Sequence, residues 1–572
     1  MSRDRSHRDG GGPGGGRRGG RDEDHRGGGR IRYGGSARSN DPKRRSAQRP
    51  SERSRRSDPA RSLAFDAMLA IEEGAYANID LPVRLRRARL ERQDAAFATE
   101  LVYGATRMRG LYDAIIAVAA ARDVAGIDEG PLAAMRLGAH QLLGMRVPAH
   151  AAVGETVALT RQAVGTGAAG FVNAVLRRVS ERTLAEWIEL VAPPQPSDEG
   201  AAAAGSDAEV ASLAVEHSHP EWVVRALRAA LLGHGASTPG TVTDDLVALL
   251  TADNAVPTVT LVARPGLSDL AELEDAGATA TGLSPYGAAL ESGGDPGRIP
   301  SVRQGRAAVQ DEGSQLIPIA LVQVPLEGLG DDSASGDGAG DDGAGGDGAG
   351  GEPGDAVRER WLELCAGPGG KAGLLAALSL GRDVAVFANE VSEHRTRLVE
   401  QAVDAAIDAG AEVYVGTGDG RTLGAEEPGG FDRVLVDAPC TGLGALRRRP
   451  EARWRRSASD VPELTGLQGD LLDSAISATR PGGVVAYATC SPHLAETRQV
   501  VERILARHPH VHTIDAREYV RDADDHRVSD TGPGPYAQLW PHLHGTDAMF
   551  LALLRVGEPT DEVGVRLHRG RC

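Results

Sequence analysis

From Trp361 onward, short apolar runs alternate with helical stretches: Leu362 to Leu364, Leu374 to Leu380, Val384 to Phe387, Leu398 to Ile407, Val413 to Val415, Val434 to Val436 and Val484 to Tyr487. A strand covered on both faces reads as a continuous apolar run, and a parallel neighbour is reached only through a long crossover. The order therefore restricts this region to an α/β fold, a mostly parallel sheet between two helical layers. Late runs at Val511 to Ile514 and Met549 to Leu554 complete a seven-stranded sheet. In such doubly wound sheets ligands bind in the crevice at the carboxyl ends of the strands.

Two cysteines fall at such ends. Cys440 closes Val436-Asp-Ala-Pro-Cys440, and Cys490 lies in Ala488-Thr-Cys-Ser-Pro492. Upstream, Cys365-Ala366-Gly367-Pro368-Gly369-Gly370-Lys371 joins a strand to a helix, where backbone amides approach a ligand closely and the helix N-terminus favours an anionic group. Alone, this turn fits either a nucleotide-like cofactor or a tight bend. Glu390 ends the second strand about twenty residues on, in reach of ribose hydroxyls, and Asp419 in Gly418-Asp-Gly420 ends the third; together they outline an adenosine-binding face. A lone cysteine ending a buried strand is usually an inert core residue. Two in Pro-Cys and Thr-Cys settings, downstream of a glycine turn, favour catalysis instead. Cys365 is read as packing beneath the turn and Cys572 as having no role. Asp437 reads either as a helix cap or, at its fixed spacing from Cys440, as catalytic.

The rest of the chain divides by composition. Residues 1–57 carry 17 Lys/Arg and 7 Asp/Glu with almost no apolar content, so they are read as a disordered, solvated Arg/Gly-rich tail, with weak RNA contact as the alternative. Over 58–190, apolar residues, among them Leu63 and Leu69, recur at spacings of three and four, as in Met68 and Ile71, Phe97 and Leu101, and Leu111 and Ile115, which predicts an all-α domain. A Pro/Ala/Gly-rich linker spans 191–210. A small α/β module covers 211–303, where Pro220 opens a helix and Thr258 to Val262 alternates as a strand. The sheet region occupies 304–572 and is interrupted at 328–356 by a Gly/Asp insert with 8 acidic residues and no basic one, a composition that forbids a core. Four cysteines without metal or disulfide spacing, and no apolar stretch of membrane-spanning length, predict a metal-free, reducing, cytoplasmic setting with no membrane partner. A net charge of −17 excludes a general basic field, so any nucleic acid must be held by local patches.

Cys365-Ala-Gly-Pro-Gly-Gly-Lys371, Ala388-Asn-Glu390, Gly418-Asp-Gly-Arg421, Asp437-Ala-Pro-Cys440, Thr489-Cys-Ser491 with Glu496 beyond, and Val309-Gln-Asp-Glu-Gly-Ser-Gln315 together resemble the RNA cytosine-5 methyltransferases of the Sun/Fmu type. Residues 58–182 are similar to the NusB-like domain that the ribosomal branch of that family carries. The resemblance implies a Rossmann-like methyltransferase domain, S-adenosyl-L-methionine as cofactor, and formation of 5-methylcytidine in 16S ribosomal RNA, of the cytosine-967 type. It makes Cys490 the nucleophile that adds to carbon 6, Asp437 a hydrogen-bond partner near N3, Cys440 the group that helps remove the carbon-5 proton and release the adduct, and Lys371 a positioning group. It places the cofactor on Cys365, Ala366, Gly367, Pro368, Gly369, Gly370, Lys371, Glu390, Arg395, Asp419 and Asp437. Glu363 stands where the family commonly has Asp, Gly367 where it has Ala, and Ala372 where it has Thr.

Carbon 5 of cytosine is too electron-poor to take a methyl group until a thiolate adds at carbon 6, which explains the need for cysteine. Arg447, Arg448, Arg449, Arg453, Trp454 and Arg455 follow shortly after Cys440. A charge run is usually a solvated face, yet an RNA backbone must enter the site and an indole can stack on a base, so these six are read as RNA contacts. The target base must be unpaired or extruded. The partner is 16S ribosomal RNA or a small-subunit assembly intermediate, and the chain is read as a monomer. A transfer RNA substrate is the nearest alternative. A non-catalytic RNA-binding or antitermination-type factor would lack a nucleophile or cofactor residue, and an NAD-dependent oxidoreductase would have no use for paired thiols.

Overall fold

The computed structural model describes residues 58–193, 207–290, 294–328 and 358–558. The tail at 1–57, most of the 191–210 linker, nearly all of the 328–356 insert and Cys572 lie outside the described residues.

The N-terminal region is entirely helical, with Pro59–Glu72, Ala77–Ala88, Arg92–Arg107, Arg109–Ala120, Glu129–Leu143, Ala149–Ala163, Thr166–Val179 and Leu184–Val191 as its main elements. Local chemistry starts them: Asp58 accepts from the Arg61 amide, and Thr183 with Glu186 forms a reciprocal capping box. The recurring apolar positions close two cores, one around Phe65, Met68, Leu101 and Leu137, the other around Tyr112, Ile115, Leu176 and Trp187. Helices Asp207–Glu216, Glu221–Gly233 and Val242–Asp253 follow.

Next comes a four-stranded antiparallel sheet of β1 (Val259–Ala263), β2 (Thr279–Ala280), β3 (Gly287–Leu290) and β4 (Ala307–Val309), ordered β2-β3-β1-β4. Because β4 pairs with β1, this sheet runs past position 303, where composition alone ended the module. Two residues later Asp311 caps the helix Glu312–Gln323, and that helix lays Leu316, Ile317, Ala320 and Leu321 on the larger sheet.

The larger sheet contains β5 (Glu359–Glu363), β6 (Val384–Glu390), β7 (Glu412–Thr417), β8 (Phe431–Asp437), β9 (Thr479–Thr489), β10 (Val511–Ile514) and β12 (Phe550–Val556), in the order β10-β12-β9-β8-β5-β6-β7; the short β11 (Ala537–Gln538) pairs with β12. The five strands β5 to β9 are parallel, and β12 and β10 join antiparallel. Alternate residues face opposite layers: Val434, Val436, Val485 and Tyr487 pack with Leu471, Leu472 and Val501, whereas Leu435, Val484 and Ala486 pack with Leu316 and Ile317. The chain winds outward from β5 to β7, then returns to β8 on the other side of β5. The carboxyl ends of β5 and β8 thus flank the switch point where an open α/β sheet has its crevice.

Candidate active site

Cys365 to Lys371 cross that switch point. Helix Gly370–Leu378 starts immediately after Gly369, whose φ of +104° suits glycine. A side chain there would also collide, since a Cβ would lie 2.6 Å from Ala402 Cβ and 3.0 Å from Val399 Cα. The turn is therefore pressed against helix Glu393–Asp408, and the Ala366 and Gly369 amides donate to the carbonyls of Asn389 and Ala366. Glu390 is buried and steadies it from the next strand. One carboxylate oxygen accepts from the Gly367 amide at 3.0 Å; the other accepts from the Ser392 amide at 2.9 Å and pairs with Arg395 at 2.6 Å. Cys365 packs under the turn against the core, and burial pushes its thiol far above the ordinary range, with Asp437 and Glu390 adding to the effect. Asp419 caps helix Gly420–Glu426 and pairs with Arg421 at 2.6 Å, which holds its carboxyl at about 2.

Lys371 is 7% exposed, and its Nζ donates to Asp437 Oδ2 at 2.7 Å. Burial disfavours the ammonium, but the Asp437 charge and hydrogen bond, with Glu363 behind them, outweigh it and hold Lys371 above the usual lysine range. Only one other lysine, Lys43, occurs in the whole chain. Two buried acceptors near the turn have no hydrogen-bond partner: Glu363 Oε2, and Oε1 of Gln310, whose side chain sits against Gly370. Burial holds the Glu363 carboxyl well above the carboxylate range.

Across from Lys371, the sulfurs of Cys440 and Cys490 are 3.5 Å apart. Their protonation preferences are opposed. The hydrogen bond from Cys440 lowers Cys490, with Arg449 and Lys371 assisting against burial and Asp437; the same hydrogen bond, burial and nearby negative charge push Cys440 well up. The arrangement is two thiols in contact, Cys490 the more readily ionised, facing a lysine–aspartate pair, in the crevice of a doubly wound sheet. It can add sulfur to an electrophilic carbon and hold a second thiol ready for proton transfer.

The six residues read as RNA contacts divide differently. Arg453 is fully buried and donates to the carbonyl oxygens of Ser218 at 3.0 Å, Asp253 at 3.3 Å and Arg107 at 3.4 Å, and to Asn254 Oδ1 at 2.9 Å. Arg455 donates to the Ile71 and Ala75 carbonyls and lies over the Tyr76 ring. Trp454 packs on Gly110 beneath Arg109. Arg447 and Arg448 both pair with Asp311 and Asp547 at 2.5–3.1 Å. The RNA expectation for these five is corrected: their polar groups or ring faces are engaged within the protein, and they bind the segment after Cys440 to its neighbours. Arg449 alone of the six is exposed. What sequence reasoning missed is the polar support behind the sulfurs, Thr441, Gln468 and Ser491 converging on Glu496. Serine or threonine next to each cysteine was the available signal. Among the described residues no group of three or more metal-ligand side chains converges, and no helix is long and apolar enough to cross a membrane.

Residues 354–555 match the family described as 16S rRNA methyltransferase RsmB/F, and residues 58–181 match the NusB family. The chain is 45% identical over 500 residues, covering 87% of its own length and 96% of the relative's, to the putative methyltransferase Rv1407 of Mycobacterium tuberculosis. It is 29% identical over 462 residues, 80% of this chain and 91% of the relative, to the ribosomal RNA small subunit methyltransferase B of Pseudomonas putida. The crystal structure of PH0851 shares the fold at a TM-score of 0.65 and 20% identity, over 87% of this chain and 99% of that one.

Proposed function

The chain belongs to the RsmB/F family of 16S rRNA methyltransferases, and from that footing we propose that it forms 5-methylcytidine in 16S ribosomal RNA, at the cytosine-967 type of position, through a covalent bond from Cys490 to carbon 6. The observation that carries this reading is the sulfur pair 3.5 Å apart, Cys490 the more readily ionised of the two, opposite Lys371 and Asp437.

The methyl group comes from S-adenosylmethionine, which presents it on a positively charged sulfur. The residues present fit such a ligand. Gln310 Oε1, against the turn, is a buried acceptor without a partner, suited to a donor such as an amino acid's ammonium, and the buried Glu363 Oε2 is likewise unpartnered. Residues 365–371 with Glu390, Arg395, Asp419 and Asp437 are the proposed cradle.

This chain's own groups then divide the work. Cys490 sulfur bonds to carbon 6, and the electrons displaced from the ring double bond make carbon 5 nucleophilic. Asp437, kept in place by the Lys371 hydrogen bond, faces the ring edge where charge develops. After carbon 5 is methylated, Cys440, having given its own proton to solvent once Cys490 is bonded to the ring, takes the carbon-5 proton; the electrons of that carbon–hydrogen bond reform the ring double bond, the carbon–sulfur bond breaks, and Cys490 departs as thiolate. The base reaches the crevice unpaired.

Bisulfite sequencing of 16S ribosomal RNA from a strain lacking the gene tests the reading. One cytosine protected in the parent is expected to become convertible, and to regain protection with the wild-type gene but not with Cys490→Ala. An unchanged protection pattern rejects it.

A further inference from the structure

Behind the two sulfurs lies a polar knot to which the reaction above assigns no part. Glu496 is 0% exposed. Its carboxylate accepts from the Thr441 amide at 2.7 Å, the Thr441 hydroxyl at 2.5 Å, the Ser491 hydroxyl at 2.7 Å and the Gln468 amide at 3.3 Å. Thr441 follows Cys440, and Ser491 follows Cys490, so one carboxylate ties down the residue next to each sulfur. The tie is cross-braced: the Thr441 and Ser491 hydroxyls are 3.2 Å apart, Gln468 also donates to the Pro439 carbonyl at 2.9 Å, and Tyr487 donates to the Glu496 carbonyl at 2.7 Å.

A buried carboxylate is costly unless its lone pairs are filled, and an apolar side chain would brace two loops at less expense. Among the described residues no ion pair includes Glu496, so its carboxylate is held by amide and hydroxyl donors alone, directly behind the thiols. Its position is asymmetric, since it holds the backbone amide beside Cys440 but only a side chain beside Cys490.

We propose that Glu496 is the positioning residue of the cysteine pair, holding Cys440 and Cys490 at the spacing one pyrimidine ring requires and fixing which of them attacks. The proposal rests on the reading of Cys490 as nucleophile. The field of Glu496 works in the required direction: it adds to the Cys490 hydrogen bond and burial in keeping Cys440 protonated. Arg449 and Lys371 assist the Cys440 hydrogen bond in favouring the Cys490 thiolate.

The test uses the full chain and two readouts on Glu496→Gln, which keeps the side chain's shape and removes its charge. Iodoacetamide labelling without RNA, resolved by site and followed against pH, is expected to find Cys490 preferred in the wild type and that preference reduced about fivefold or more in the variant. With a 16S ribosomal RNA transcript and labelled S-adenosylmethionine, kcat is expected to fall about tenfold while KM for the RNA stays within about threefold. A preserved labelling preference overturns the proposal whatever happens to kcat, because general loosening of the fold lowers turnover without changing which sulfur reacts first. Should Glu496→Gln fail to fold, the double variant Thr441→Val/Ser491→Ala keeps the carboxylate, removes both hydroxyl links, and is judged by the same preference. Loss of the preference supports the proposal and its retention overturns it. A wild-type chain that labels Cys490 first yet never methylates the transcript would sink the functional reading and leave this inference standing.

Discussion

At the scale of single residues, the site is a set of opposed protonation preferences. Cys490 is held below the usual thiol range first by the Cys440 hydrogen bond, so its alkylation is expected to persist to lower pH than that of a free thiol. The rate falls as pH drops through that depressed value. In Cys440→Ala the midpoint moves to higher pH, a shift that site-resolved mass spectrometry of the labelled thiol measures. The same variant is expected to accumulate a covalent protein–RNA species on denaturing gels, because release has lost its helper, whereas Cys490→Ala forms none. Lys371 makes a second case. In a chain with 61 arginines and two lysines, lysine at 371 places a compact point charge, not a guanidinium fork, against Asp437. Lys371→Ala is expected to lower kcat on the order of 10²-fold, and Lys371→Arg not to restore it in the same methylation assay. These residues were legible in the sequence because motif chemistry is local. The acceptor role of Glu496 was not, since its four donors come from three segments that only the fold brings together.

At the scale of elements, strand order and helical periodicity were readable from apolar spacing, which is why β5 to β10 and β12 lie where the runs stand. The arginine-rich segment after Cys440 has, at each of the six positions but Arg449, partners within the protein that composition does not reveal. A guanidinium can saturate backbone carbonyls in a dry junction as well as phosphates in solvent, and composition does not distinguish the two. Arg453→Ala strips three carbonyls and an amide oxygen of a shared donor, and leaves the buried Asp253 without its nearby positive charge. It is expected to cost about 3–5 kcal/mol in chemical denaturation. Arg449→Ala, at an exposed position, is expected to change stability by less than about 0.5 kcal/mol, while weakening RNA binding and lowering the salt slope by about 1. Filter binding across salt concentrations checks the second half.

At the scale of the whole molecule, the short helix Ala452–Arg455 is the joint between the helical region and the catalytic sheet. Glu451 just before it accepts from the Ala77 amide, Arg453 reaches Arg107, Ser218 and Asp253, and Arg455 reaches Ile71 and Ala75. That joint titrates. Burial pushes the Asp253 carboxyl up to about 7 despite Arg453, against about 3.9 unfolded, so its contribution is complete below about pH 3.9 and is lost as pH rises through 7. Burial, with Arg453, holds His219 neutral, so its contribution is complete above about pH 6.5 and is lost below that. Asp253→Asn is expected to gain on the order of 2–4 kcal/mol over the wild type at pH 8 and nothing at pH 4, measured by urea titration at each pH. The same joint also governs how the protein can be divided. Residues 354–555 carry the family signature, yet cutting there severs Arg453 from every acceptor it serves. The excised sheet would expose a bare cationic plug and an uncovered indole, and the helical remnant an empty socket lined with carbonyls, each piece inviting aggregation through the surface it had kept dry.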